Sequence, residues 1–233
     1  MRNDKVYAVI LAAGSGKRMG ADVTKQRMIL CGRSVIYRTV SAFYGCDLID
    51  GIVVVGRADE QDYLVSELAD FSAKINSIVV GGECRLDSAA AGFRALPTDA
   101  TIVAVHDGAR PLITADAIEK VVTAAMECGA ATDAACVYDT VKKVDAIGIV
   151  TETLDRNTLV LARTPQVFRT DIYARALENA PIFEGITDDN MMVEAIGVPV
   201  RAVLTDCENP KITTMNDLRY AEFLLNVRKE ENV

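Results

Sequence analysis

Nowhere in the 233-residue chain is there a run approaching the roughly 18 apolar residues of a membrane-spanning helix. The opening Met1-Arg2-Asn3-Asp4-Lys5 leads straight into a strand-like segment without a cleavage-site pattern, so a cytoplasmic protein is expected. The six cysteines, Cys31, Cys46, Cys84, Cys128, Cys136 and Cys207, contain no Cys-x-x-Cys, and there is one histidine to help them. A zinc site of the usual ligand spacing is thereby disfavoured, and scattered reduced thiols are the expectation. Excess positive charge is missing as well: 25 Lys and Arg face 33 Asp and Glu, for a net charge of −8. That argues against a general nucleic-acid binder, which needs a broad basic surface. With 50% apolar and 25% charged residues the composition is ordinary for a folded domain, and no repeat, low-complexity tract or linker divides residues 1–233.

Two common phosphate-binding patterns are also missing from the glycine-rich turn that follows the first apolar run. After Val6-Tyr7-Ala8-Val9-Ile10-Leu11-Ala12-Ala13 comes Gly14-Ser15-Gly16-Lys17-Arg18-Met19-Gly20. Three residues separate Gly16 from Gly20, which breaks the dinucleotide fingerprint, and Gly16-Lys17 is followed by Arg18 rather than Ser or Thr, which breaks the P-loop. What remains is a turn whose glycines let backbone N–H groups converge on an anion, with Lys17, Arg18, Lys25 and Arg27 close by and one acid, Asp22, among them. An acidic protein with one basic loop points to a small polyphosphate rather than a polymer. An ordinary surface turn with solvated charges is the competing reading.

Further along, aliphatic runs alternate with helical patterns. Ser34 to Tyr44 has apolar positions at helical spacing with Ser34 as N-cap. Gly51-Ile52-Val53-Val54-Val55-Gly56 and Ile75 to Val80 read as buried strands, and Asp59 to Phe71 as the helix between them. This βαβαβ order predicts a mostly parallel sheet covered on both faces, an α/β fold of the Rossmann-like three-layer αβα type. Ligands of such sheets bind outside the carboxyl ends of the strands, so the second glycine turn, Gly81-Gly82-Glu83-Cys84-Arg85, should lie beside the first, with Arg85 and Ser88 facing the cleft. Thr101 to Val105 forms a strand that ends in His106-Asp107-Gly108. An acid there can ligate Mg2+, which binds through one or two carboxylates plus phosphates, and Asp107 is the metal candidate. His106 could serve as a general base, but no nucleophile or second histidine accompanies it, and a structural role bonded to backbone is the favoured reading.

Thr114 to Cys128 reads as an amphipathic helix closed by Gly129, and Thr132 to Tyr138 as a strand. From Asp139 to Leu154 polar and apolar residues alternate around Ala146-Ile147-Gly148, the pattern of a β-hairpin. A two-stranded ribbon is only marginally stable alone, so an arm over 139–160 that packs on a second copy of the chain is expected, making a homodimer. Helices follow to Asn179, through Ile196 and from Asn216 to Val227, with a last strand at Pro199 to Leu204.

Taken in order, Leu11 to Gly20 with Lys25-Gln26, Gly81 to Arg85 with Ser88, His106 to Pro111, Asp139-Thr140-Val141-Lys142, Asp155-Arg156-Asn157, Thr164 to Phe168, Thr187-Asp188 and Lys211-Ile212-Thr213 resemble the motifs of the 2-C-methyl-D-erythritol 4-phosphate cytidylyltransferase family. The resemblance spans nearly the whole chain. It implies transfer of CMP from CTP to methylerythritol phosphate with release of pyrophosphate, dependence on Mg2+, and a homodimer clasped by its β-arms. Carried over residue by residue, it implies Arg18 and Lys25 as the catalytic pair at the triphosphate. Ala12, Ala13, Gly14 and Gly16 contact the nucleotide through backbone, Gly82, Glu83 and Ser88 read the base and its surroundings, and Asp107 meets metal or ribose. Thr140, Arg156, Thr187 and Lys211 bind the acceptor, with Thr140 and Arg156 supplied by the partner's arm. Departures from the pattern are Thr24 in place of proline, Gly108 in place of alanine, Arg163 in place of an uncharged residue, and the unusual segment Asp188-Asp189-Asn190-Met191-Met192. A ribitol 5-phosphate cytidylyltransferase and a non-catalytic nucleotide-binding protein are the alternatives.

Overall fold

The computed structural model describes residues 4–14, 24–180 and 186–231. In chain order these form β1 (Val6–Leu11), β2 (Ile29–Leu30), β3 (Arg33–Ser34), α1 (Val35–Tyr44), β4 (Gly51–Gly56), α2 (Gln61–Glu67), β5 (Ile75–Val80), α3 (Arg85–Arg94), β6 (Ile102–Asp107), α4 (Ala115–Cys128), β7 (Ala130–Cys136), β8 (Lys142–Val144), β9 (Val150–Thr153), β10 (Val160–Arg169), α5 (Thr170–Asn179), α6 (Asp189–Ala195), β11 (Arg201–Leu204) and α7 (Met215–Glu231). Seven strands make one sheet in the order β11-β7-β10-β6-β1-β4-β5. Pairing is parallel except at β10, which runs antiparallel to both β6 and β7.

The continuous aliphatic runs have a simple cause. Successive side chains of a strand point to opposite faces, and both faces of this sheet are covered. Val6, Ala8 and Ile10 of β1 join a core with Ile36, Val40 and Phe43 of α1 and Ile118, Val121 and Val122 of α4. Val9 and Leu11 join the opposite core with Ala89 of α3, Tyr173 and Ala176 of α5, and Met192 and Val193 of α6. Full burial of one such aliphatic or aromatic side chain contributes about 1.5–3 kcal/mol, so the alternation within β1 ties both helical layers to the sheet. The expected αβα sandwich is therefore present. A third, smaller cluster, with Leu30, Val35, Leu112, Ile212, Leu218 and Ala221, seats α7.

The caps agree with the residues that predicted them. Ser34 Oγ accepts from Tyr37 N at 3.1 Å, and Thr114 Oγ1 accepts from Ala117 N at 3.3 Å. Gly129 ends α4 at a φ of 90°, a conformation that L side chains rarely adopt. Three elements depart from expectation. The helix expected over Asp59 to Phe71 is broken into the short α2 flanked by 3-10 turns at Ala58–Glu60 and Ala69–Phe71. Residues 29–34 fold into a tight hairpin, β2 with β3, whose two turn residues Cys31 and Gly32 both have positive φ, 47° and 82°. Strand β10 occupies a stretch that reads as a polar junction; its register against β7 shifts between Ala162 and Gln166, around the cis Thr164–Pro165 peptide.

The hairpin of β8 and β9 forms a separate two-stranded sheet with every residue exposed. Around it Tyr138 and Ile147 are 82% and 84% exposed. Among the described residues no helix is long and apolar enough to cross a membrane.

Candidate active site

The carboxyl ends of β1, β4, β5 and β6 lie side by side, and a cavity of about 600 Å³ opens there, where open α/β sheets bind ligands. One wall is the segment leaving β1. Ala12 is buried and its N–H donates to Val55 O at 2.7 Å, so it extends the sheet pairing, while Ala13 and Gly14 line the cavity. Lys25 crosses beside Gly14: a Cβ at residue 14 would stand 3.8 Å from Lys25 Cε. Lys25 starts a 3-10 turn, Lys25–Arg27, whose entry is tied down by the Thr24 hydroxyl donating to Glu60 Oε1 at 2.7 Å. Thr24, at a φ of −64°, has the backbone that proline would have and adds a hydrogen bond that proline cannot make. Arg27 turns away, its guanidinium 4.3 Å from the Tyr63 ring centroid, and does not line the cavity.

The second wall is the turn after β5. A Cβ on Gly81 would lie 2.6 Å from Ala13 Cβ and 2.7 Å from Ser88 Oγ, so only glycine lets this turn pack directly against the first. Gly82 is crowded in the same way by Asp87 Cβ, at 2.2 Å. That approach seats a reciprocal cap on α3: Cys84 Sγ accepts from Asp87 N at 3.4 Å and Asp87 Oδ2 accepts from Cys84 N at 3.2 Å. The Ser88 hydroxyl donates to Cys84 O at 3.0 Å.

The floor is a charge cluster centred on Asp107. Its N–H donates to Thr164 Oγ1 of β10 at 3.1 Å, and its carboxylate stands 2.9 Å from Lys211 Nζ, 3.4 Å from Arg110 Nε and 3.7 Å from Arg85 Nε. Burial alone would raise the Asp107 pKa, but Lys211, Arg85 and Arg110 outweigh it and hold the carboxyl well below the usual carboxylate range. Arg85 is pinned on its other side by Asp189, NH1 to Oδ2 2.7 Å. Asp189 is fully buried, accepts from the Tyr173 hydroxyl at 2.7 Å, and donates its N–H to Gln166 Oε1 at 2.9 Å. Gly108 has a local reason: a Cβ there would lie 2.8 Å from Leu11 O, the acceptor of its own N–H, and 3.2 Å from Ile36 Cδ1.

His106 points the other way, into the core. It is fully buried with its ring 4.8 Å from that of Phe43, and Nε2 lies 3.2 Å from Arg110 O, an acceptor, which makes Nε2 the protonated nitrogen. Burial pushes its pKa down to about 4, so it is neutral at physiological pH and plays the structural part.

Of the residues singled out in the sequence, Ala13, Gly14, Lys25, Gly82, Glu83, Ser88, Asp107 and Lys211 line this one cavity. Arg18 and Gly16 lie outside the described residues. Thr140 and Arg156 are exposed on and beside the hairpin arm, where Arg156 NH1 donates to Tyr138 O, and Thr187 is exposed near the start of α6, its Oγ1 3.2 Å from Met191 Sδ; none of these lines the cavity. Sequence reasoning passed over Arg110 and Asp189. An Arg three residues past a strand-end acid is a signal that points to Arg110; Asp189 stands in the segment 188–192 that departs from the family pattern, but its role is not legible there because its partners Arg85 and Tyr173 are distant in the chain.

Lys25 on one side and Lys211 and Arg85 on the other make the cavity fit for a polyphosphate. Among the described residues no group of three His, Cys, Asp or Glu side chains could enclose a metal ion. Asp107 by itself suits an ion that brings phosphate oxygens as its other ligands, which is how Mg2+ usually binds.

The family model for 2-C-methyl-D-erythritol 4-phosphate cytidylyltransferase matches residues 6–227. A 2-C-methyl-D-erythritol 4-phosphate cytidylyltransferase of Symbiobacterium thermophilum is 44% identical over 223 residues, covering 94% of this chain and 92% of that protein. A protein of the same name from Alkaliphilus metalliredigens is 39% identical over 97% of this chain and 95% of its own length. Among solved structures, the 4-diphosphocytidyl-2C-methyl-D-erythritol synthase of Anaerococcus prevotii superposes with a TM-score of 0.87 at 30% identity, over 96% of this chain and 97% of that one. With the motifs in one order, the cleft at the strand ends and these relatives over nearly its full length, the chain belongs to the 2-C-methyl-D-erythritol 4-phosphate cytidylyltransferase family of nucleotidyltransferases.

Proposed function

We propose that this chain transfers CMP from CTP to 2-C-methyl-D-erythritol 4-phosphate, giving 4-diphosphocytidyl-2-C-methyl-D-erythritol and pyrophosphate. The observation that carries the reading is the cavity itself, with Lys25 beside the glycine turn on one wall and Lys211 paired to Asp107 on the other. The triphosphate lies along Ala13, Gly14 and Gly16, held by Arg18 and Lys25, and Gly82, Glu83 and Ser88 meet the base. Ala12, expected to contact the nucleotide, is buried with its N–H committed to Val55 O and supports the turn from behind. The acceptor phosphate is bound by Lys211, with Thr187 and, from a second copy, Thr140 and Arg156.

In the reaction an oxygen of the acceptor phosphate forms a bond to the α-phosphorus of CTP, and the bond from that phosphorus to the bridging oxygen of the β-phosphate breaks. Pyrophosphate leaves with the electron pair. The nucleophile is already anionic, so no general base is required, in keeping with the buried, neutral His106. Catalysis reduces to alignment and to cations placed where charge develops, the part given to Arg18 and Lys25. Mg2+, when bound, supplies further neutralisation of the triphosphate, and Asp107 is the side chain that would hold it. The three cations around Asp107 would oppose a bare metal ion, so Asp107 would hold Mg2+ only beside the negative charge of bound phosphates.

The arm favours a homodimer. Val144, Ile147, Ile149 and Val150 are exposed by 53%, 84%, 60% and 54%, a concentration of apolar surface on a ribbon that cannot bury it alone. Pyrophosphate release from CTP with methylerythritol phosphate, compared with ribitol 5-phosphate and with no acceptor, tests the assignment. Release only with ribitol phosphate moves the chain to that acceptor, and release with neither makes it a binding protein. Sedimentation of the parent and of an Ile147→Asp, Ile149→Asp variant tests the dimer.

A further inference from the structure

Arg163 is a charged residue in the middle of β10, and its side chain does not enter the cleft. It is 12% exposed and reaches across the sheet to Asp133 of β7, which is fully buried, NH2 to Oδ1 3.0 Å. Thr132 and Asp133 stand on the strand neighbouring both β10 and β11, so this ion pair sits inside the sheet layer, beneath the segment 205–211 that leaves β11.

The pair grips that segment at alternate residues. Arg163 NH1 donates to Cys207 O at 2.9 Å and NH2 to Thr205 Oγ1 at 3.0 Å; the Thr205 hydroxyl donates to Asp133 Oδ1 at 2.7 Å. Asn209, also fully buried, donates from Nδ2 to Asp133 Oδ2 at 3.2 Å and to Thr164 O at 2.9 Å. Its carbonyl accepts from Arg110 NH1 at 2.8 Å, and Arg110 in turn reaches Asp107. Two residues further on is Lys211, whose Nζ meets Asp107, and Ile212 N donates to Ala109 O at 2.8 Å. The segment has no helix or strand pairing of its own from Cys207 to Lys211, so side-chain bonds fix its course. Those of the pair hold it from below, and on the outer side Arg228 of α7 donates from NH2 to Glu208 O at 2.9 Å, with Cys207 Sγ donating to Leu112 O at 3.3 Å.

We propose that the buried Asp133–Arg163 pair is the positioning device for Lys211, holding the 205–209 segment so that the ammonium reaches the acceptor phosphate. The inference rests on Lys211 being the acceptor-binding group, as set out above. Arg suits the task because one planar fork can bond the carboxylate, a hydroxyl and a carbonyl at once, which an ammonium cannot do. Removing one charge of the pair strands the other inside the sheet and threatens folding, whereas replacing both by apolar residues removes the charges together and is tolerated far better.

The test is a cycle built from Asp133→Leu/Arg163→Leu, Lys211→Ala and the triple variant, with Arg163→Lys as a second probe should the double variant not fold. Steady-state kinetics in both substrates and the thermal midpoint are measured for each. The expected result is an acceptor KM raised about tenfold in Asp133→Leu/Arg163→Leu and by a smaller factor in Arg163→Lys, with the KM for CTP within about twofold of the parent, since a displaced binding group loses its effect over about an ångström. Lys211→Ala should raise the acceptor KM at least as much, and the pair's removal should add nothing further in its background, because the pair acts through Lys211. An unchanged acceptor KM in Lys211→Ala overturns the assignment of Lys211 and the inference with it. A raised KM there, with an acceptor KM within twofold of the parent in both probes of the pair or with effects that multiply in the triple variant, overturns the inference alone.

Discussion

Asp107→Asn separates two jobs that the floor of the cleft gives to one carboxylate. The amide keeps the shape and the backbone bond to Thr164, and removes the charge shared by Lys211, Arg110 and Arg85; Arg85 keeps its ion pair with Asp189. Breaking a fully buried ion pair costs about 3–5 kcal/mol, but the Lys211 and Arg85 side chains are 36% and 30% exposed, and solvent screening brings the loss to about 1–3 kcal/mol. For a chain of this size the thermal midpoint should fall by roughly 3–10 °C. Ligand binding moves the opposite way. The cleft gains one unit of positive charge a few ångströms from a bound triphosphate, worth about 1 kcal/mol at a wet surface, so metal-free CTP should bind about fivefold more tightly. In Mg2+ the advantage disappears, because the side chain that would hold the ion is gone, and kcat falls by about 10²-fold. Calorimetric titration of CTP into parent and variant, in EDTA and in Mg2+, reads both effects. Weaker binding of metal-free CTP by the variant would refute the counter-ion role given to Asp107.

Lys25→Ala should lower kcat by about 10²-fold with the fold intact, as the loss of a transition-state charge contact does; near-normal turnover in the purified variant removes Lys25 from that role. Thr24→Val takes away the donor to Glu60, a carboxylate only 6% exposed, and should cost about 1–3 kcal/mol while raising the KM for CTP, since the turn bearing Lys25 loses its tie; denaturation and kinetics on the same preparation check both. His106 and Asp107 give stability two acid windows. The folded pKa of His106 is depressed to about 4, so between about pH 6.5 and 4 the unfolded chain takes up a proton that the native one refuses, and stability falls by about 3 kcal/mol across that range. The Asp107 pKa is depressed as well, so its contribution is complete above about pH 4 and is lost below. Urea midpoints from pH 7 to 3 should show the first decline in the parent and in Asp107→Asn alike, but the second more weakly in the variant; a flat midpoint between pH 6.5 and 4.5 contradicts the buried neutral histidine.

Ile75 to Val80, expected as a buried strand, is instead the edge strand β5, its residues half-buried or exposed and its run broken by Asn76 and Ser77. Strands β1, β4 and β6, by contrast, are legible in the sequence because each is a run buried along its whole length in a doubly covered sheet, with glycine or a polar residue at or just past its carboxyl end. That end is also where an α/β sheet binds ligands, which is why the sequence alone gathers Asp107 and the two glycine turns into one cleft. Strand β10 was not legible: Arg163-Thr164-Pro165-Gln166 carries a charge and a proline, which argue against a central strand, and only a register shift beside a buried ion pair accommodates them. The cap by Cys84 escaped notice because a thiol is outside the usual N-cap set and works here through the close approach of Gly82 to Asp87. Arg27 could not be told from Lys25 by spacing, since its escape to Tyr63 depends on α2 lying opposite. Long-range partners such as Asp189 for Arg85 follow from how layers stack, which no local window reports.

The single reversed strand has a consequence for how this enzyme could change over time. Because β10 runs against its neighbours, β7 ends and β10 begins at the same edge of the sheet, the edge that carries the cleft. Residues 137–159 are therefore the loop of one oversized hairpin between adjacent strands, a connection that needs no crossover helix. Such a loop can lengthen, shorten or exchange its tip without disturbing the register of any strand in the sheet. A forward-running strand in that place would have sent the same insertion out at the far edge, away from both substrates. The topology thus leaves the arm open to variation while keeping whatever it carries on the working side of the molecule.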